Sequence, residues 1–135
     1  HGNKIIGNYQ GLKFAFSGFR SVIKIGKGVQ FREAGIYLHN GAEVVLGSGG
    51  RYQESTICLH NGTKLTIGEG VRLEECHLTL NHFSHFTIAE DVLLKENYTS
   101  AGERSVCKIN RGCQLVPLHM VIGKKQKSCW GKKCM

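Results

Sequence analysis

Proline and long apolar runs are scarce in this sequence. One proline occurs among 135 residues, whereas glycine occurs 18 times. No apolar run approaches the ~20 residues that a membrane-spanning helix requires, so we expect no membrane span. Because glycine is frequent while proline is nearly absent, we expect glycine to serve a regular, repeated element of the fold and not scattered loops.

Acidic residues are also few, with 10 Asp and Glu against 18 Lys and Arg, which gives a formal charge of +8. Five of the lysines fall in the run "KKQKSCWGKKCM" at residues 124–135, which contains no acid. Such a run is typical of a solvated, disordered tail or of a loose contact with an anionic surface. Elsewhere basic residues alternate with acids and no aromatic stripe accompanies them, so we expect no nucleic-acid binding. The sequence predicts one domain at 1–123 and a basic C-terminal tail at 124–135.

The six cysteines do not form a pattern typical of a disulfide scaffold or a zinc site. Four of them lie inside periodic segments, where we expect reduced packing residues: Cys58, Cys76, Cys107 and Cys113. Reduced cysteines favour a cytoplasmic location. Cys129 and Cys134 have four residues between them and no second pair, which favours a tail disulfide or two free thiols over zinc binding.

A repeat of 21 residues runs through the chain. Its copies are "IKIGKGVQF" at 23, "VVLGSGGRY" at 44, "LTIGEGVRL" at 65, "FTIAEDVLL" at 86 and "CKINRGCQL" at 107, with an imperfect copy, "NKIIGNYQGLKF", at 3. A repeat of this length indicates a solenoid. Within each copy apolar and polar residues alternate, as in Leu65, Thr66 and Ile67, which is typical of a strand with one buried face. Three such strands fit each copy, so the sequence predicts an all-β protein, a parallel β-solenoid with three-sided coils of 21 residues.

The three strands of each coil place apolar residues in inward columns. The first strand contributes Ile23, Val44, Leu65, Phe86 and Cys107, together with Ile25, Leu46, Ile67, Ile88 and Ile109. The second contributes Val29, Gly50, Val71, Val92 and Cys113, together with Phe31, Tyr52, Leu73, Leu94 and Leu115. The third contributes Ile36, Ile57, Leu78, Thr99 and Met120, together with Leu38, Leu59, Leu80, Ala101 and Ile122. Stacked copies would bury these columns as one core.

Glycine marks the predicted corners of the coil. The glycine after each first strand fits a corner that needs a positive φ: Gly26, Gly47 and Gly68. Asn40-Gly41 and Asn61-Gly62 mark a second corner. The Gly-x-Gly of "IGEGV" recurs as "IGKGV" and opens no predicted helix, so we interpret it as a corner and not as a phosphate-binding loop.

The phrases "IGKGV" and "IGEGV" resemble the hexapeptide repeat of left-handed β-helix acyltransferases, and in particular the sugar O-acetyltransferases. The resemblance covers roughly residues 3–123, although its coils have 21 residues and the family's have 18. It implies a left-handed coil and a homotrimer that binds acetyl-CoA, the co-substrate, between subunits. It also implies a sugar or polysaccharide-precursor acceptor and a histidine general base, because the acceptor hydroxyl must lose a proton as it attacks the thioester.

The candidate bases lie where the repeat breaks. The family's catalytic stretch often reads Thr-Ser-Asp-x-His-Ser, whereas the matching "TSAGERS" at 99–105 contains Glu103 and Arg104 but no histidine. In "NHFSHF", His82-Phe83 replaces the Asn-Gly pair that marks this corner in the two preceding copies. His85 falls in an outward column. His82 and His85 are therefore candidate catalytic bases, or else solvated corner residues. Two functions remain open: an O-acetyltransferase, or a non-catalytic or truncated β-solenoid that serves as a scaffold or binding module.

Two polar columns have structural interpretations. His39 and His60 align with Asn81, and Asn40 with Asn61, so we expect a ladder of imidazoles and amides that hydrogen-bond between coils. No carboxylate or thiolate column stands beside the histidines, so no metal site is predicted. A column of like charges is expected to be solvated: Glu33, Glu54, Glu75 and Glu96. We expect nearby basic residues to offset it: Arg32, Arg51, Arg72 and Lys95.

Outward apolar residues suggest a surface for side-to-side association. Val22, Tyr37, Val45 and Val106 stand at outward positions of the predicted strands. Together with the resemblance, they favour side-to-side association as a trimer.

Overall fold

The computed structural model describes residues 2–115, 118–123 and 127–130, and the regular structure within these ranges is entirely β-strand. No helix long and apolar enough to cross a membrane occurs among these residues. The strands are β1 Lys4–Ile6, β2 Leu12–Phe16, β3 Val22–Ile25, β4 Gln30–Arg32, β5 Ala34–Leu38, β6 Glu43–Leu46, β7 Arg51–Gln53, β8 Thr56–Leu59, β9 Lys64–Ile67, β10 Arg72–Glu74, β11 His77–Leu80, β12 His85–Ile88, β13 Leu93–Lys95, β14 Asn97–Ala101, β15 Val106–Ile109, β16 Gln114–Leu115, β17 Leu118–Ile122 and β18 Lys127–Trp130.

The strands form three parallel sheets, one for each side of the coil. The first sheet has the order β1-β3-β6-β9-β12-β15-β18, the second β4-β7-β10-β13-β16, and the third β2-β5-β8-β11-β14-β17. From β3 onward, paired residues are 21 apart in sequence, as in Val44, Leu65 and Phe86. This register confirms the predicted parallel β-solenoid. The first copy is imperfect, since Lys4 pairs with Val22.

The core lies inside the coil and consists of the predicted inward columns. Ile23, Val44 and Leu65 have no exposed surface, and Phe86 is 1% exposed. Half-buried members occur at three positions: Val29, Phe31 and Cys113. The side chains of Leu115 and Met120, also predicted inward, lie outside the part that the structure describes. Every other predicted inward residue is buried.

Glycine after the first strand has a different role from the one that the sequence suggested. A positive φ occurs at the second glycine of each Gly-x-Gly: Gly28, Gly49 and Gly70. Gly26, Gly47 and Gly68, for which a positive φ was expected, do not have one, so that prediction was wrong. A Cβ at Gly47 would lie 2.5 Å from the carbonyl carbon of Gly68 in the next coil. These glycines are needed because the coils approach each other too closely for a side chain.

A single glutamate forms the corner between the second and third strands of four coils. The residues Glu33, Glu54, Glu75 and Glu96 have φ values of 53°, 47°, 54° and 52°. This left-handed conformation is uncommon for glutamate, because its Cβ crowds the backbone there. All four side chains are exposed, as predicted.

Basic neighbours do not pair with these glutamates. Within the described residues the ion pairs are Arg72–Glu74 at 3.1 Å and Arg111–Asp91 at 4.0 Å. None of the four glutamates has a direct ion pair within the described part of the chain, and the expected offset by nearby basic residues stays a prediction. Arg72 instead contacts a glutamate on its own strand, because residues two apart on a strand share one face.

A buried polar ladder lies immediately behind the glutamate corner. Ser55 Oγ accepts a hydrogen bond from the Cys76 N–H at 3.3 Å and donates to the Gln53 carbonyl at 2.8 Å. Cys76 Sγ donates to the Leu94 carbonyl at 3.0 Å. Burial raises the pKa of the Cys76 thiol to about 11, so the thiol stays protonated and remains a donor.

The cysteines inside the solenoid are free thiols. Burial raises the pKa of Cys107 to about 12, which keeps this inward thiol neutral within the core. The tail cysteines fall outside this description: Cys134 lies outside the described residues, as does the side chain of Cys129. β18 lies within the segment 124–135 and pairs with β15, and the domain boundary at 123 stays a prediction.

Tyr52 is a core residue with an unpaired hydroxyl. Its side chain is 1% exposed, and its ring stacks on Phe31 with centroids 5.5 Å apart. Its Oη has no hydrogen-bond partner, and burial raises its pKa well above the usual range. A Cβ at Gly50 would lie 2.9 Å from this Oη, so glycine provides the space for the hydroxyl.

Tyr52→Phe is expected to raise the free energy of unfolding by about 1 kcal/mol, because a buried unpaired hydroxyl costs free energy that phenylalanine avoids. Urea unfolding monitored by circular dichroism measures this change. Tyr37→Phe is the control, since Tyr37 is outward and 39% exposed, and it should leave stability unchanged. A clear loss of stability in Tyr52→Phe would show that the hydroxyl has a stabilising partner.

Candidate functional site

The break in the repeat produces a strained corner. The second corner of successive coils has a positive φ at Gly41, Gly62, Phe83 and Arg104, with values of 66°, 68°, 58° and 56°. Phe83 thus occupies the position that glycine occupies in the two preceding coils. A bulky aromatic residue in this conformation is a backbone outlier, and such strain clusters at functional sites.

The Phe83 ring lies across the coil boundary. A Cβ at Gly62 would lie 2.5 Å from ring carbon Cδ1, so the ring packs directly on the preceding coil. The guanidinium carbon of Arg104, from the following coil, lies 5.7 Å from the ring centroid, within the range of a cation–π contact. The ring is nevertheless 53% exposed. Arg104 belongs to the "TSAGERS" stretch, so that stretch reaches this corner without a histidine.

Three imidazoles form a stack beside this corner. The His39 and His60 rings are nearly parallel, with centroids 4.9 Å apart and planes at 7°. The His82 ring lies 5.5 Å from His60 with the planes at 58°. The sequence aligned His39 and His60 with Asn81 and placed His82 in the neighbouring column. The structure adds His82 to the histidine stack, because its side chain contacts His60 across the column boundary.

Asparagine amides link the coils at the same corner, as predicted. Asn61 Oδ1 accepts a hydrogen bond from the Asn40 N–H at 3.1 Å, and Asn40 Oδ1 accepts from the Phe19 N–H at 3.0 Å. Asn81 Nδ2 donates to the Ala101 carbonyl at 2.8 Å. The first two bonds satisfy backbone N–H groups at the turn, and the third adds a second donor to the Ala101 carbonyl, which also accepts from the Asn81 N–H.

Two buried hydroxyl groups donate hydrogen bonds to backbone carbonyls of the same corner. Thr63 Oγ1 donates to the His60 carbonyl at 2.9 Å, and Ser84 Oγ donates to the Asn81 carbonyl at 2.7 Å. Both residues are fully buried. Each hydroxyl therefore bonds to the backbone of a residue in the column of His60 and Asn81.

Burial and the neighbouring imidazoles disfavour the charged form of the central imidazole, His60. Burial lowers the pKa of His60, and the neighbouring His39 and His82 lower it further when they are charged. A neutral imidazole retains an unprotonated ring nitrogen, which is what a general base requires. The ring contacts of His60 with His39 and His82 also link neighbouring coils. The histidine stack therefore supports either a structural or a chemical role.

We expect the stability of the protein to fall as the pH decreases through and below ~6.5, the usual pKa of histidine. Because the folded pKa of His60 is lower than the unfolded one, the unfolded state binds the proton more readily. The stabilisation is therefore present above the unfolded pKa and is lost as the pH falls through the folded pKa. His60→Asn should reduce this slope in urea midpoints. Equal slopes in wild type and His60→Asn would contradict this assignment.

The stack does not have the geometry of a metal site. One ion with bonds of ~2.1 Å cannot reach equivalent nitrogens of two parallel rings separated by 4.9 Å. In residues 2–115, 118–123 and 127–130, no group of three or more His, Cys, Asp and Glu side chains is arranged to hold a metal ion.

The two candidate bases occupy different environments. His85 begins β12 and is exposed in the outward column between Lys64 and Val106, as predicted. His82 is half-buried against His60. Their catalytic roles stay predictions. An open cavity of about 420 Å³ occurs elsewhere, at the N-terminal end of the solenoid. Neither histidine lines it. Its lining residues are Asn8, Gln10, Gly11, Val29, Gln30 and Phe31.

The outward apolar residues do not share one surface. Val22, Val45 and Val106 lie on the first sheet, where outward columns also contain Lys24 and Glu43. Tyr37 lies on the third sheet. The predicted association surface is therefore divided between two sides of the solenoid.

Five of the six strands of the third sheet present an outer surface without charged residues, which the sequence interpretation missed; the sixth strand, β2, carries the exposed Lys13. Strands β5, β8, β11, β14 and β17 contain no Asp, Glu, Lys or Arg. We call the outward side chains of these five strands the neutral face: Gly35, Tyr37, Thr56, Cys58, His77, Thr79, Tyr98, Ser100 and Val121. Sorting the charged residues by strand column would have revealed this face from the sequence.

Aromatic and aliphatic groups are accessible on the neutral face. Tyr98 is 52% exposed, and its ring stacks on His77 with centroids 4.7 Å apart. Val121 is 82% exposed. The Tyr37 ring lies over Gly35, since a Cβ there would be 2.9–3.2 Å from three of its atoms. The face thus combines flat rings with small side chains.

Comparisons with models of known protein families, with curated proteins and with solved structures found no match.

Proposed function

We propose that this protein is a non-catalytic β-solenoid scaffold that associates side to side through the neutral face. The observation that carries this proposal is the distribution of charge: five successive strands of one sheet contain no formally charged residue, in a chain of net charge +8. The centres of protein interfaces are depleted in charged residues and enriched in tyrosine. The neutral face has both properties.

The other two sides of the solenoid are less suited to association. Lys24, Lys64 and Lys108 stand at outward positions of the first sheet, and Arg51 and Arg72 at outward positions of the second. Two copies that met through either side would bring like charges together or bury unpaired ones, which is costly. Association through the neutral face avoids that cost.

The histidines fit a structural role within such a scaffold. His39, His60 and His82 stack on one another, and the asparagine ladder and buried hydroxyls fix the same corner. These contacts account for the histidines without a reaction.

Sedimentation velocity across a concentration series tests the scaffold proposal. Thr79 lies at the centre of the neutral face, on β11, so we expect Thr79→Glu to remain monomeric where the wild type associates. Thr87→Glu is the matched control, because Thr87 is outward on β12 of the first sheet and should leave association unchanged. A monomeric wild type at every concentration, or equal effects of the two variants, would overturn the proposal.

A second candidate function is transfer of an acetyl group from acetyl-CoA to a sugar hydroxyl, with His82 as the base. The strained Phe83 favours this candidate, since a bulky side chain in a glycine position persists where function maintains it. Arg104 beside the ring adds a cation that can bind an anionic group. The trimer implied by the family resemblance would bind acetyl-CoA between its subunits.

Thermal unfolding with and without acetyl-CoA tests the second candidate. A ligand at 100 times its Kd stabilises the folded state by roughly 2.7 kcal/mol. A clear shift, together with acetyl-CoA hydrolysis that His82→Ala abolishes and His85→Ala retains, would support His82 as the base. The reverse pattern would assign the role to His85. An unchanged melting temperature at millimolar acetyl-CoA would overturn this candidate.

A further inference from the structure

Charge is distributed unevenly along the solenoid. All 10 acidic residues of the chain lie after residue 32, so the alternation of basic residues with acids begins only at Glu33. We call residues 2–32, which comprise β1 to β4, the basic tip. None of its basic side chains has an ion pair within the described part of the chain. All of them are exposed: Lys4, Lys13, Arg20, Lys24, Lys27 and Arg32.

The basic tip also exposes large apolar side chains. These belong to its first coil and are Ile6, Tyr9, Phe14 and Phe19. The Phe14 ring packs edge-to-face with two other rings, since its centroid lies 5.5 Å from that of Tyr9 and 5.9 Å from that of Phe16. An exposed cluster of apolar groups rimmed by polar residues marks an interaction site.

These apolar side chains lie within the height of one coil. β1 ends the first sheet and β2 ends the third, so the first coil is the N-terminal end of both sheets. Neighbouring coils are ~4.8 Å apart. The exposed apolar groups therefore surround the end of the solenoid, and basic residues of the next coil follow about 5 Å behind them. Those basic residues are Lys24, Lys27 and Arg32.

From this arrangement we propose that the basic tip binds end-on to the surface of an anionic lipid bilayer, without crossing it. Apolar groups that bind at a bilayer surface penetrate ~5–10 Å to the boundary between headgroups and acyl chains, which corresponds to one or two coils. Tyrosine is enriched at this boundary. The basic residues of the second coil would then lie at the level of the anionic headgroups, where each one favours binding.

Other partners match the basic tip less well. Two copies that met end to end would oppose two sets of like charges. A nucleic acid would match the charge, but Ile6 offers no ring on which a base can stack, and the Phe14 ring already packs between those of Tyr9 and Phe16. A bilayer surface offers both an apolar layer and anionic groups. End-on binding leaves the neutral face free, so this inference does not rest on the association proposed above.

Co-sedimentation of the full chain with lipid vesicles tests the role of charge. We expect the wild type to bind vesicles made of equal parts of phosphatidylserine and phosphatidylcholine more tightly than vesicles of phosphatidylcholine alone. Lys24→Glu should weaken binding to the anionic vesicles by about fivefold or more. Lys108→Glu is the matched control, because Lys108 occupies the same outward column four coils away and the substitution changes the net charge equally. It should bind as the wild type does.

A second pair of variants tests the role of the apolar groups. Phe19→Ala should weaken binding to the same vesicles by roughly tenfold, because the apolar area buried in the bilayer is lost. Phe83→Ala is the control, since Phe83 lies at the same corner three coils away and is 53% exposed, against 55% for Phe19. Circular dichroism confirms that each variant folds.

The pattern of binding decides the outcome. Weaker binding by Lys24→Glu and Phe19→Ala, with both controls unchanged, would support the proposal. Equal binding by all variants would assign the contact to residues outside the basic tip and overturn it, as would no binding by the wild type. Displacement of the vesicles by a single-stranded oligonucleotide that requires Phe19 would overturn it in favour of a nucleic acid. Sedimentation velocity without lipid tests the neutral face separately.

Discussion

Gly47→Ala is expected to lower the free energy of unfolding by about 3 kcal/mol or more, which lies at the upper end of the usual cost of overpacking. The added Cβ would lie 2.5 Å from the Gly68 carbonyl carbon and 2.7 Å from the Glu69 nitrogen. Both atoms belong to the backbone of the next coil and cannot rotate away. The coils must therefore separate locally, which weakens the parallel ladder on either side. Urea unfolding monitored by circular dichroism measures the loss.

Gly49→Ala, two residues along the chain, is the matched control. Gly49 has a φ of 72°, but a Cβ there would meet nothing within 4 Å. The expected cost is only the ~1–2 kcal/mol of a non-glycine residue in the left-handed conformation. If Gly49→Ala were the more damaging substitution, backbone conformation and not coil spacing would explain the glycines of this solenoid.

Phe86→Ala should lower the free energy of unfolding by about 3–5 kcal/mol, the usual cost of removing a buried phenylalanine. Phe86 is 1% exposed and lies in the inward column between Leu65 and Cys107. Neighbouring coils are fixed by their backbone ladders and cannot collapse into the cavity. The measurement is the midpoint and slope of urea unfolding.

Phe83→Gly is the contrasting substitution, three residues away. Its ring is 53% exposed, and glycine relieves the positive φ of 58°. Loss of the contact with Arg104 offsets part of that gain. We expect stability to remain unchanged or to rise by up to about 1 kcal/mol. A loss as large as that of Phe86→Ala would show that the Phe83 ring is a packing residue and would remove the evidence for stored strain.

The core could be predicted from the sequence because strand geometry dictates it. Inward and outward residues alternate along a strand, so a fixed spacing of 21 residues places every inward residue of one coil over its counterpart in the next. Leu65 and Ile67 are buried for this reason, and Thr66 between them is exposed. Alternation and register together define the core without any further information.

Corners were less predictable, since residue type constrains them only loosely. Gly47 is required because the next coil approaches closely, whereas Gly49 is required because its φ is positive. The sequence shows glycine at both positions and does not distinguish the two reasons. Glu75 adopts a positive φ although glutamate has no special preference for it, so no residue signal marked that corner. Only three-dimensional stacking shows which position turns the chain.

The candidate site depended on side-chain direction at a corner, where alternation no longer applies. His82 aligns in sequence with Asn40 and Asn61, yet its ring contacts His60. Column alignment alone would keep the two histidines apart. The neutral face, in contrast, required only that charges be sorted by strand column, a step that the 21-residue register made available.

The distribution of charge gives the solenoid distinct sides. Charged residues such as Lys64 and Arg72 stand at outward positions of the first and second sheets. Outward positions at the centre of the third sheet carry uncharged residues such as Thr79 and Ser100. The five charge-free strands of the third sheet are the surface on which the scaffold proposal rests.

The most direct test of the scaffold proposal is a dilution series of amide NMR spectra of the wild-type protein. If the neutral face associates, the resonances of β8, β11 and β14 should shift with concentration, and those of β9 and β12 on the first sheet should not. Spectra that do not change with concentration, or changes centred on the first or second sheet, would contradict association through the neutral face.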